Sequence, residues 1–163
     1  MGKKKPIVTN AMRLLDAAKI AYRTVEYETD GVVGDHFGVT IAEKTGIPCG
    51  QSFKTLVARG DKTGVMAVCI PVDRELDLKK LAKASGNKKV ELIHVKDLLG
   101  LTGYIRGGVS PIGMKKQYPT YIDGTCLEHD TIAVSAGVCG CTVLLKPADL
   151  IAFTKAEAAD IAI

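Results

Sequence analysis

The sequence predicts a mixed α/β fold in a single domain over residues 1–163. Its length of 163 residues and mass of 17.3 kDa are typical of one domain, and such a domain buries about two thirds of the surface that the unfolded chain exposes. Segments with helical spacing of apolar residues alternate with short segments rich in β-branched residues. No internal repeat or low-complexity linker interrupts this alternation. The pattern therefore favours one mixed α/β domain.

Turn residues and apolar spacing predict the elements of the first half of the chain. Asn10 is expected to cap a helix over residues 11–21, where apolar residues recur on one face. A short helix is predicted over residues 40–44, just before Gly46. Glycines at both ends of residues 60–64 predict a hairpin turn. Strands are predicted where β-branched, aromatic and other apolar residues cluster, at residues 22–28, 53–59 and 65–71.

Helices and strands are predicted to alternate in the second half as well. Asp77 is expected to cap a helix that ends at Gly86. One helical turn is predicted over residues 97–101. Pro147 is expected to begin a terminal helix that runs almost to the end of the chain, with a break near Thr154. The remaining apolar segments predict strands at residues 90–94, 120–122, 131–134 and 142–145.

The composition argues against several classes of protein. The sequence has no export signal and no apolar run long enough to span a membrane, so we expect a soluble, cytoplasmic protein with no membrane or DNA partner. Five cysteines, an odd number, indicate reduced thiols instead of a disulfide scaffold. Tryptophan is absent and aromatic residues make up 5%, which argues against large stacking surfaces for single-stranded nucleic acid.

Positive charge is modest in amount but clustered along the sequence. The formal net charge is +4 and the sequence pI is about 8.8. Lysines cluster at residues 3–5, 79–80, 88–89 and 115–116. Each cluster alone is most simply a solvated surface. If the ligand is a nucleic acid, the same lysines become candidate contacts to phosphate groups.

A glycine-rich loop over residues 103–116 is the most informative stretch of the sequence. It contains four glycines, an arginine (Arg106), a serine and a lysine pair, without apolar periodicity. Glycines let backbone N–H groups approach a ligand, and the basic residues add positive charge where an anion or oxyanion could lie. Gly108 and Gly113 have the spacing of a P-loop, but Met114 stands where that motif needs lysine. The loop favours a small anionic or ester-bearing ligand, and an ordinary glycine-rich turn is the alternative.

Lys54 is the second unusual feature, because it lies in an otherwise apolar strand. Strand alternation places it on one face with Leu56 and Ala58. An ammonium group on such a face is costly to bury without an anionic or carbonyl partner. Lys54 is therefore either a functional group in a site or an edge-strand lysine whose amine reaches water.

The patterns of several common catalytic and metal sites are absent. There is no Gly-x-Ser-x-Gly motif, and the three histidines lie in separate segments with no obvious acidic partner. Four residues have the right side chains for zinc: Cys126, His129, Cys139 and Cys141. Their spacing matches neither common zinc-finger pattern. We therefore expect no metal and no cofactor, with a structural zinc ion as the alternative.

Several segments together resemble the YbaK family of aminoacyl-tRNA editing proteins. They are SFKTL at 52–56, GYIRGGVSPIG at 103–113 and VSAG at 134–137, and residues 36–38 and 42–47 match the same pattern. YbaK proteins are bacterial deacylases that clear Cys-tRNA(Pro), and they are related to the editing domain inserted in prolyl-tRNA synthetases. The resemblance implies a strongly curved, barrel-like mixed β-sheet surrounded by helices.

The resemblance also implies a set of site residues. It places the family's essential lysine at Lys54, its serine at Ser135, and a backbone position lining the aminoacyl pocket at Gly107; we expect these three to be catalytic. Further substrate contacts are expected at Tyr27, Phe37, Ser52, Gly108 and Arg106. For the two aromatic residues, ordinary core packing is the alternative. His36, beside Phe37, is a minor candidate.

Two positions depart from the family pattern. Ala136 replaces the first glycine of the family's Val-Ser-Gly-Gly sequence. Val138 and Cys139 stand where the family often has a basic pair. The loss of charge there weakens the expectation that this turn contacts the tRNA backbone.

The function implied by the resemblance is removal of cysteine from tRNA(Pro), and also from tRNA(Cys), by a free-standing deacylase. The implied mechanism uses the substrate's own thiol, which attacks the ester carbonyl and forms a thiolactone while the protein holds the ester and stabilises the oxyanion. The implied partners are aminoacyl-tRNA and prolyl-tRNA synthetase. The alternatives are a deacylase for another small amino acid such as alanine, or a non-catalytic ligand-binding or regulatory protein of the same fold.

Overall fold

The backbone of the chain alternates between helices and strands. A computed structural model describes residues 7–29, 33–34 and 36–163. The helices are α1 (Asn10–Ala17), α2 (Phe37–Thr45), α3 (Leu78–Ser85), α4 (Val95–Thr102) and α5 (Pro147–Thr154). The strands are β1 (Tyr22–Glu26), β2 (Phe53–Gly60), β3 (Gly64–Pro71), β4 (Val90–Leu92), β5 (Thr120–Asp123), β6 (Ile132–Ser135), β7 (Cys141–Leu145) and β8 (Glu157–Ala159), with a 3-10 helix at Gly124–Glu128. This order confirms the predicted mixed α/β class.

The described strands form two sheets that meet at one point. One sheet has three antiparallel strands in the order β1-β7-β6. The other has five strands in the order β4-β2-β3-β5-β8, and its β3–β5 and β5–β8 pairs are parallel. A single parallel bridge between Ser52 and Ala133 links the start of β2 to β6. The predicted mixed sheet is thus present, and its described strands join as two sheets without closing a barrel.

The hydrogen bonds around β3 fix the direction in which its backbone groups point. Val72 N–H donates to Ser52 O at 2.9 Å, so the even-numbered residues of β2 and β3 bond to each other. Ala67 N–H donates to Pro119 O at 2.9 Å, so the odd-numbered residues of β3 face β5. Pro71 is odd-numbered and lies beyond the last β3–β5 pair, where its missing N–H breaks no ladder bond. By the same alternation, the main-chain N–H and C=O groups of the odd-numbered residues of β2 point away from β3.

Two large apolar clusters stabilise the fold on opposite sides of the five-stranded sheet. The first packs α1 and α5 against both sheets, with Leu15, Ile122, Ile132, Leu145 and Leu150 almost fully buried. The second packs α3 and the last residues of the chain against β2 and β3, with Met66, Ile70, Leu81 and Ile161 fully buried. Burial of such side chains contributes about 1.5–3 kcal/mol each. Three thiols, those of Cys69, Cys126 and Cys141, belong to the first cluster.

The first and the last helix differ from the sequence prediction in their cap or in the structure that follows them. The cap of α1 is Thr9 and not Asn10, because the Thr9 side chain accepts a hydrogen bond from Met12 N–H at 3.2 Å. This helix ends at Ala17, and Lys19 adopts a positive φ of 59° that no helix continues through. The predicted terminal helix is wrong beyond Thr154, because β8 pairs there in parallel with β5.

Other elements agree with the prediction apart from their limits. The α3 helix begins after Asp77, whose carboxylate accepts from two backbone N–H groups, and ends at Gly86 in the left-handed conformation. The α2 helix begins three residues earlier than predicted, at Phe37, and also ends at a left-handed glycine, Gly46. The α4 helix is longer than the single turn predicted. In the described part of the chain, no helix has the length and apolar character needed to cross a bilayer.

The carboxylate of Asp123, at the end of β5, ties the last residues of the chain to the core. Its Oδ1 accepts hydrogen bonds from the backbone N–H groups of Ile161 and Ala162, both at 3.2 Å. Its Oδ2 accepts from the Thr125 hydroxyl at 2.6 Å. Burial acts to raise the pKa of Asp123, but these hydrogen bonds outweigh it and the net effect is a lowered pKa.

We predict that Asp123→Asn destabilises the protein by about 2 kcal/mol at neutral pH, because the amide NH₂ replaces an acceptor with a donor in a buried site. Since the folded-state pKa lies below the ordinary value of 3.8, the stabilisation is present above that value and is lost as the pH falls through the folded-state pKa. Chemical unfolding of both proteins from pH 7 to pH 2 measures this. A difference in stability that does not shrink in acid would contradict the prediction.

Candidate active site

A cavity of about 430 Å³ lies beside the edge of β2. Its walls come from β2, α2, the segment from β4 to α4, the glycine-rich loop and the β6–β7 pair. The volume is in the range of small-molecule sites, which is about 300–1,000 Å³. Most lining residues are apolar, and a small number of hydroxyl, ammonium and guanidinium groups are placed among them. Such a lining is typical of a binding site for a small, partly polar ligand.

Seven of the eight predicted site residues line this cavity: Tyr27, Phe37, Ser52, Lys54, Arg106, Gly107 and Ser135. They come from separate segments of the chain, which the fold brings together. The eighth, Gly108, does not line it. A Cβ on Gly108 would lie 3.2 Å from the Cα of Val138, so this glycine allows the loop to pack against the β6–β7 turn. Its place in the structure is behind the cavity wall.

The side chain of Lys54 is half-buried in the cavity wall. Its Nζ donates to the carbonyl of Val72 at 3.5 Å, a long hydrogen bond. Burial lowers the pKa of Lys54, while the charges of Glu75 and Asp73 act in the opposite direction. An ammonium group has three N–H donors. Lys54 therefore has donors left for a ligand oxygen.

Two serine residues stand near the bridge that joins the sheets. Ser135 is the last residue of β6, and its Oγ accepts from Gly137 N–H at 3.1 Å. This bond uses a lone pair and leaves the hydroxyl hydrogen for another acceptor. Ser52 is buried, its N–H donates to Pro48 O at 3.0 Å, and its side chain faces the cavity. The Ser135 hydroxyl and the main chain of Ser52 are thus held by the surrounding backbone.

Gly107 occupies a position that only glycine suits. Its φ is +89°, which side chains rarely adopt. A Cβ there would lie 2.7 Å from Val33 Cγ2, 3.0 Å from Cys139 Sγ and 3.1 Å from Phe37 Cε1. The backbone of the loop therefore approaches α2 and the β6–β7 turn more closely than any side chain allows, and it forms part of the cavity wall.

Tyr104 supports the glycine-rich loop from behind, a role that the sequence analysis missed. Its hydroxyl donates to the carbonyl of Ile112. A Cβ on Gly137 would lie 2.9 Å from Tyr104 Cε1, so the ring packs directly against the β6–β7 turn. Burial raises the pKa of Tyr104 and keeps the phenol protonated. The tyrosine holds the loop and the turn in fixed positions relative to each other.

The aromatic and basic residues predicted for substrate contact surround the cavity. Tyr27 is held through its backbone N–H, which donates to Gly140 O at 2.9 Å, and burial raises the pKa of its phenol. Phe37 opens α2, and its ring edge lies beside Gly107. Arg106 is exposed next to Gly107. Its guanidinium is therefore available to an anionic group outside the cavity.

Other lining residues gave no signal in the sequence. Thr55, Val72, Leu92, Val95 and Leu98 all line the cavity, yet their types are ordinary for strands and helices. None of the three histidines is among the described residues that line it. His36 and His94 instead occupy the N-terminal cap positions of α2 and α4.

Cysteine thiols in and near the cavity have raised pKa values. Burial raises the pKa of Cys141, which lines the cavity, to about 11, and the charge of Glu26 adds to this. Burial also raises the pKa of Cys139, beside Gly107. These thiols are protonated at neutral pH and are poor nucleophiles. Within the described ranges, no group of three or more His, Cys, Asp or Glu side chains is arranged to hold a metal ion.

We predict that Gly107→Ala destabilises the protein by about 1–3 kcal/mol, because the new methyl group meets three side chains at a positive φ. Gly100→Ala in α4 is the matched control, since no atom lies within 4 Å of the position of its Cβ. It should stabilise the helix by up to about 1 kcal/mol. Thermal unfolding of the two variants measures both effects, and equal melting temperatures would contradict the prediction.

Comparison with known proteins gives a consistent assignment. The profile of the aminoacyl-tRNA editing domain family matches residues 39–153. The chain is 49% identical over 163 residues to a candidate Cys-tRNA(Pro)/Cys-tRNA(Cys) deacylase, EbsC, of Enterococcus faecalis, covering 99% of this chain and 98% of that protein. It is 27% identical over 148 residues to the multifunctional Ser/Thr-tRNA deacylase ProXp-y of Escherichia coli, covering 88% of this chain and 86% of that protein.

Two further similarities concern prolyl-tRNA synthetases. A proline–tRNA ligase of Streptomyces avermitilis is 36% identical over 77 residues, which are 47% of this chain and 14% of the ligase. The solved structure of a candidate trans-editing enzyme for prolyl-tRNA synthetase superposes with a TM-score of 0.79 at 24% identity, covering 96% of this chain and 99% of that one. This last similarity shows the fold. The family profile and the identity to EbsC along nearly the whole length show that the chain belongs to the aminoacyl-tRNA editing domain family, as its sequence motifs predicted.

Proposed function

We propose that this protein is a trans-acting aminoacyl-tRNA deacylase that clears cysteine from tRNA(Pro) and also from tRNA(Cys). Deacylase activity follows from membership of the editing family and from the identity to EbsC. The choice of cysteine rests on one observation above all. The cavity offers Lys54, Ser135 and the backbone of Gly107 but no histidine among its described lining residues. Such a site supports chemistry in which the substrate provides its own nucleophile.

The proposed reaction is an intramolecular displacement within the aminoacyl ester. The thiolate of the cysteinyl group attacks the ester carbonyl carbon and forms a C–S bond. The C–O bond to the terminal ribose then breaks, a proton goes to the ribose oxygen, and cysteine thiolactone leaves. The negative charge that develops on the carbonyl oxygen needs N–H donors, and we assign this role to the backbone of the glycine-rich loop at Gly107, which lines the cavity.

Each site residue has a proposed role in this reaction. Lys54 holds the ester and the terminal adenosine with its free N–H donors, and Ser135 fixes the ester with its hydroxyl. Tyr27, Phe37 and Ser52 shape the aminoacyl pocket. Arg106 contacts a phosphate at the opening. Gly108 acts indirectly, by letting the loop pack on Val138.

The protein's own thiols are poorly suited to the nucleophilic role. Cys141, at the cavity, has a pKa raised to about 11, so very little thiolate is present at neutral pH. Burial raises the pKa of Cys69 to about 12 and that of Cys126 to about 11. The substrate thiol, by contrast, is attached next to the ester carbonyl that it attacks. The substrate thiol is the better nucleophile.

We also propose that residues 1–163 act as one editing domain in the cytoplasm, beside prolyl-tRNA synthetase. The similarity to part of a proline–tRNA ligase supports a shared substrate, tRNA(Pro). A deacylase that meets tRNA(Pro) as it leaves the synthetase acts before the mischarged tRNA reaches the ribosome. The mild positive charge of +4 is compatible with tRNA as the macromolecular substrate.

A second candidate function is removal of a different small amino acid, and serine has the most support. The relative in Escherichia coli is named for Ser/Thr-tRNA. A pocket discriminates one methylene by only about 1–3 kcal/mol, so related sites change their amino acid easily. In that function an activated water would replace the substrate thiol as nucleophile.

We predict that Lys54→Ala and Lys54→Met each lower the deacylation rate about 100-fold, because an electrostatic contact to the reacting ester is lost. Lys54→Met is the matched control for packing, since it keeps the aliphatic stem. The melting temperature of Lys54→Met should equal or exceed that of the wild-type protein, because a half-buried charge is removed. Single-turnover deacylation and thermal melting test this. A folded Lys54→Met variant within about threefold of wild-type activity would remove Lys54 from the site.

We predict that cysteinyl-tRNA(Pro) is cleaved more than about 200-fold faster than seryl-tRNA(Pro), since size alone separates such similar side chains by no more than that. A hydroxyl is a far weaker nucleophile near neutral pH than a partly ionised thiol. S-methylcysteinyl-tRNA(Pro), whose sulfur cannot form the thiolate, is the control. Comparable rates for all three substrates would show that a water molecule is the nucleophile and would favour the second candidate function.

A further inference from the structure

The edge of β2 that faces the cavity has no strand partner over its middle. At its start, Ser52 is bridged to Ala133 of β6. Further along the same edge, Ile93 N–H donates to Val57 O at 3.0 Å, and pairing with β4 continues from there. Between these two points, no strand of the described part of the chain lies beside this edge. The gap from residue 53 to residue 57 is about 13 Å long at 3.3 Å per residue.

The main-chain groups of Thr55 point into this gap. The bond from Val72 N–H to Ser52 O shows that even-numbered residues of β2 bond to β3. The bond from Ile93 N–H to Val57 O shows that odd-numbered residues face the other way. Thr55 lies midway between the two ends of the gap. Both its N–H and its C=O are therefore directed towards the cavity, as they are in an unpaired edge strand.

The lining of the cavity supports this arrangement independently. All residues from 53 to 57 line it in succession. A cavity against one face of a strand would touch every second residue, because side chains alternate. Ala133 and Ile93, which bound the gap, line the cavity as well. The cavity thus runs along the hydrogen-bonding edge of β2 and takes the place of a neighbouring strand.

We propose that the aminoacyl group of the substrate pairs with Thr55 as a one-residue β-strand, which rests on the proposed function. Its α-ammonium donates to Thr55 O, and its ester carbonyl accepts from Thr55 N–H, as an opposite residue does in an antiparallel ladder. The second bond strengthens as the carbonyl oxygen gains negative charge. Thr55 is thereby a substrate-positioning residue that acts through its main chain and recognises the α-aminoacyl ester whatever its side chain.

The test removes the Thr55 N–H, the proposed donor to the ester carbonyl. Thr55→Pro deletes a donor that points away from β3, so no ladder bond of the β2–β3 pair is lost. It should lower kcat/KM for Cys-tRNA(Pro) about 100-fold while the melting temperature stays near that of wild type. Thr55→Val is the matched control, since it keeps the N–H and loses only the hydroxyl, which lies 3.6 Å from Cys69 Sγ. It should remain at least about tenfold more active than Thr55→Pro.

A modified substrate tests the other half of the pairing with the unaltered protein. In 3-mercaptopropionyl-tRNA(Pro) the thiol is kept and the α-ammonium is missing. The quantity to compare is the rate enhancement, which is the enzymatic cleavage rate divided by the uncatalysed hydrolysis rate of the same ester. For this substrate it should be at least about tenfold lower than for Cys-tRNA(Pro), as expected for loss of a charged hydrogen bond. If Thr55→Pro proves unfolded, this substrate decides the question, and equal ratios overturn the proposal.

The two hypotheses fail in different ways. A folded Thr55→Pro variant with wild-type activity overturns the role of Thr55 and leaves the deacylase function in place. A wild-type protein that cleaves none of the cysteinyl-, seryl- and alanyl-tRNAs overturns the proposed function and the pairing with it. Loss of activity in Thr55→Pro, a much smaller loss in Thr55→Val and slow cleavage of the substrate without the α-ammonium together support the proposal.

Discussion

The bridge between Ser52 and Ala133 is the contact on which the site depends, because it is where the two sheets meet. The bridge is parallel, so β2 and β6 leave it in the same direction. Lys54 and Ser135 each lie two residues beyond it and so stand on either side of the opening between the strands. The cavity is the space created as the two strands separate. A site of this kind needs one well-placed backbone contact between sheets, and its side chains follow from strand register.

The glycine-rich loop closes this space, and its position is fixed from outside the cavity. Gly108 packs on the backbone of Val138, and Tyr104 fills the space between the loop and Gly137. Gly107 then faces α2 with no room for a side chain. Backbone groups held in place in this way need little rearrangement, as the proposed role of the loop requires. The arrangement is typical of a loop that carries function on a rigid support.

Elements with local signals could be predicted from the sequence. The α3 helix has its capping aspartate and its terminal glycine within the segment, and the β2–β3 hairpin has its glycines at both ends. The β8 strand could not be predicted, because Glu157–Ala159 has strand structure only through pairing with distant β5. Thr9 and Asn10 are both good capping residues, so composition did not decide between them.

The residues of the candidate site also fall into those with a local sequence signal and those without one. Unusual residue types marked Lys54 and Gly107, and the family resemblance added Tyr27, Phe37 and Ser135. Thr55 and Tyr104 carried no signal, because what matters at Thr55 is the direction of its main chain and at Tyr104 its contacts with residues far along the chain. Gly108 had the signal of a site residue, yet close packing explains it. Sequence patterns report residue type, whereas a strand without a neighbour becomes visible only in three dimensions.

The unpaired edge of β2 has a consequence for how such proteins diverge. A main-chain donor and acceptor survive almost every substitution, since only proline removes the N–H. Selection can therefore alter the side chains around the cavity while the main chain of β2 is kept. That main chain would hold the α-ammonium and the ester carbonyl, which every aminoacyl ester has. Gene duplication followed by drift in the surrounding walls is then an easy route to new amino-acid preferences. The names of the relatives, one for cysteine and one for serine and threonine, have the spread that such a history produces.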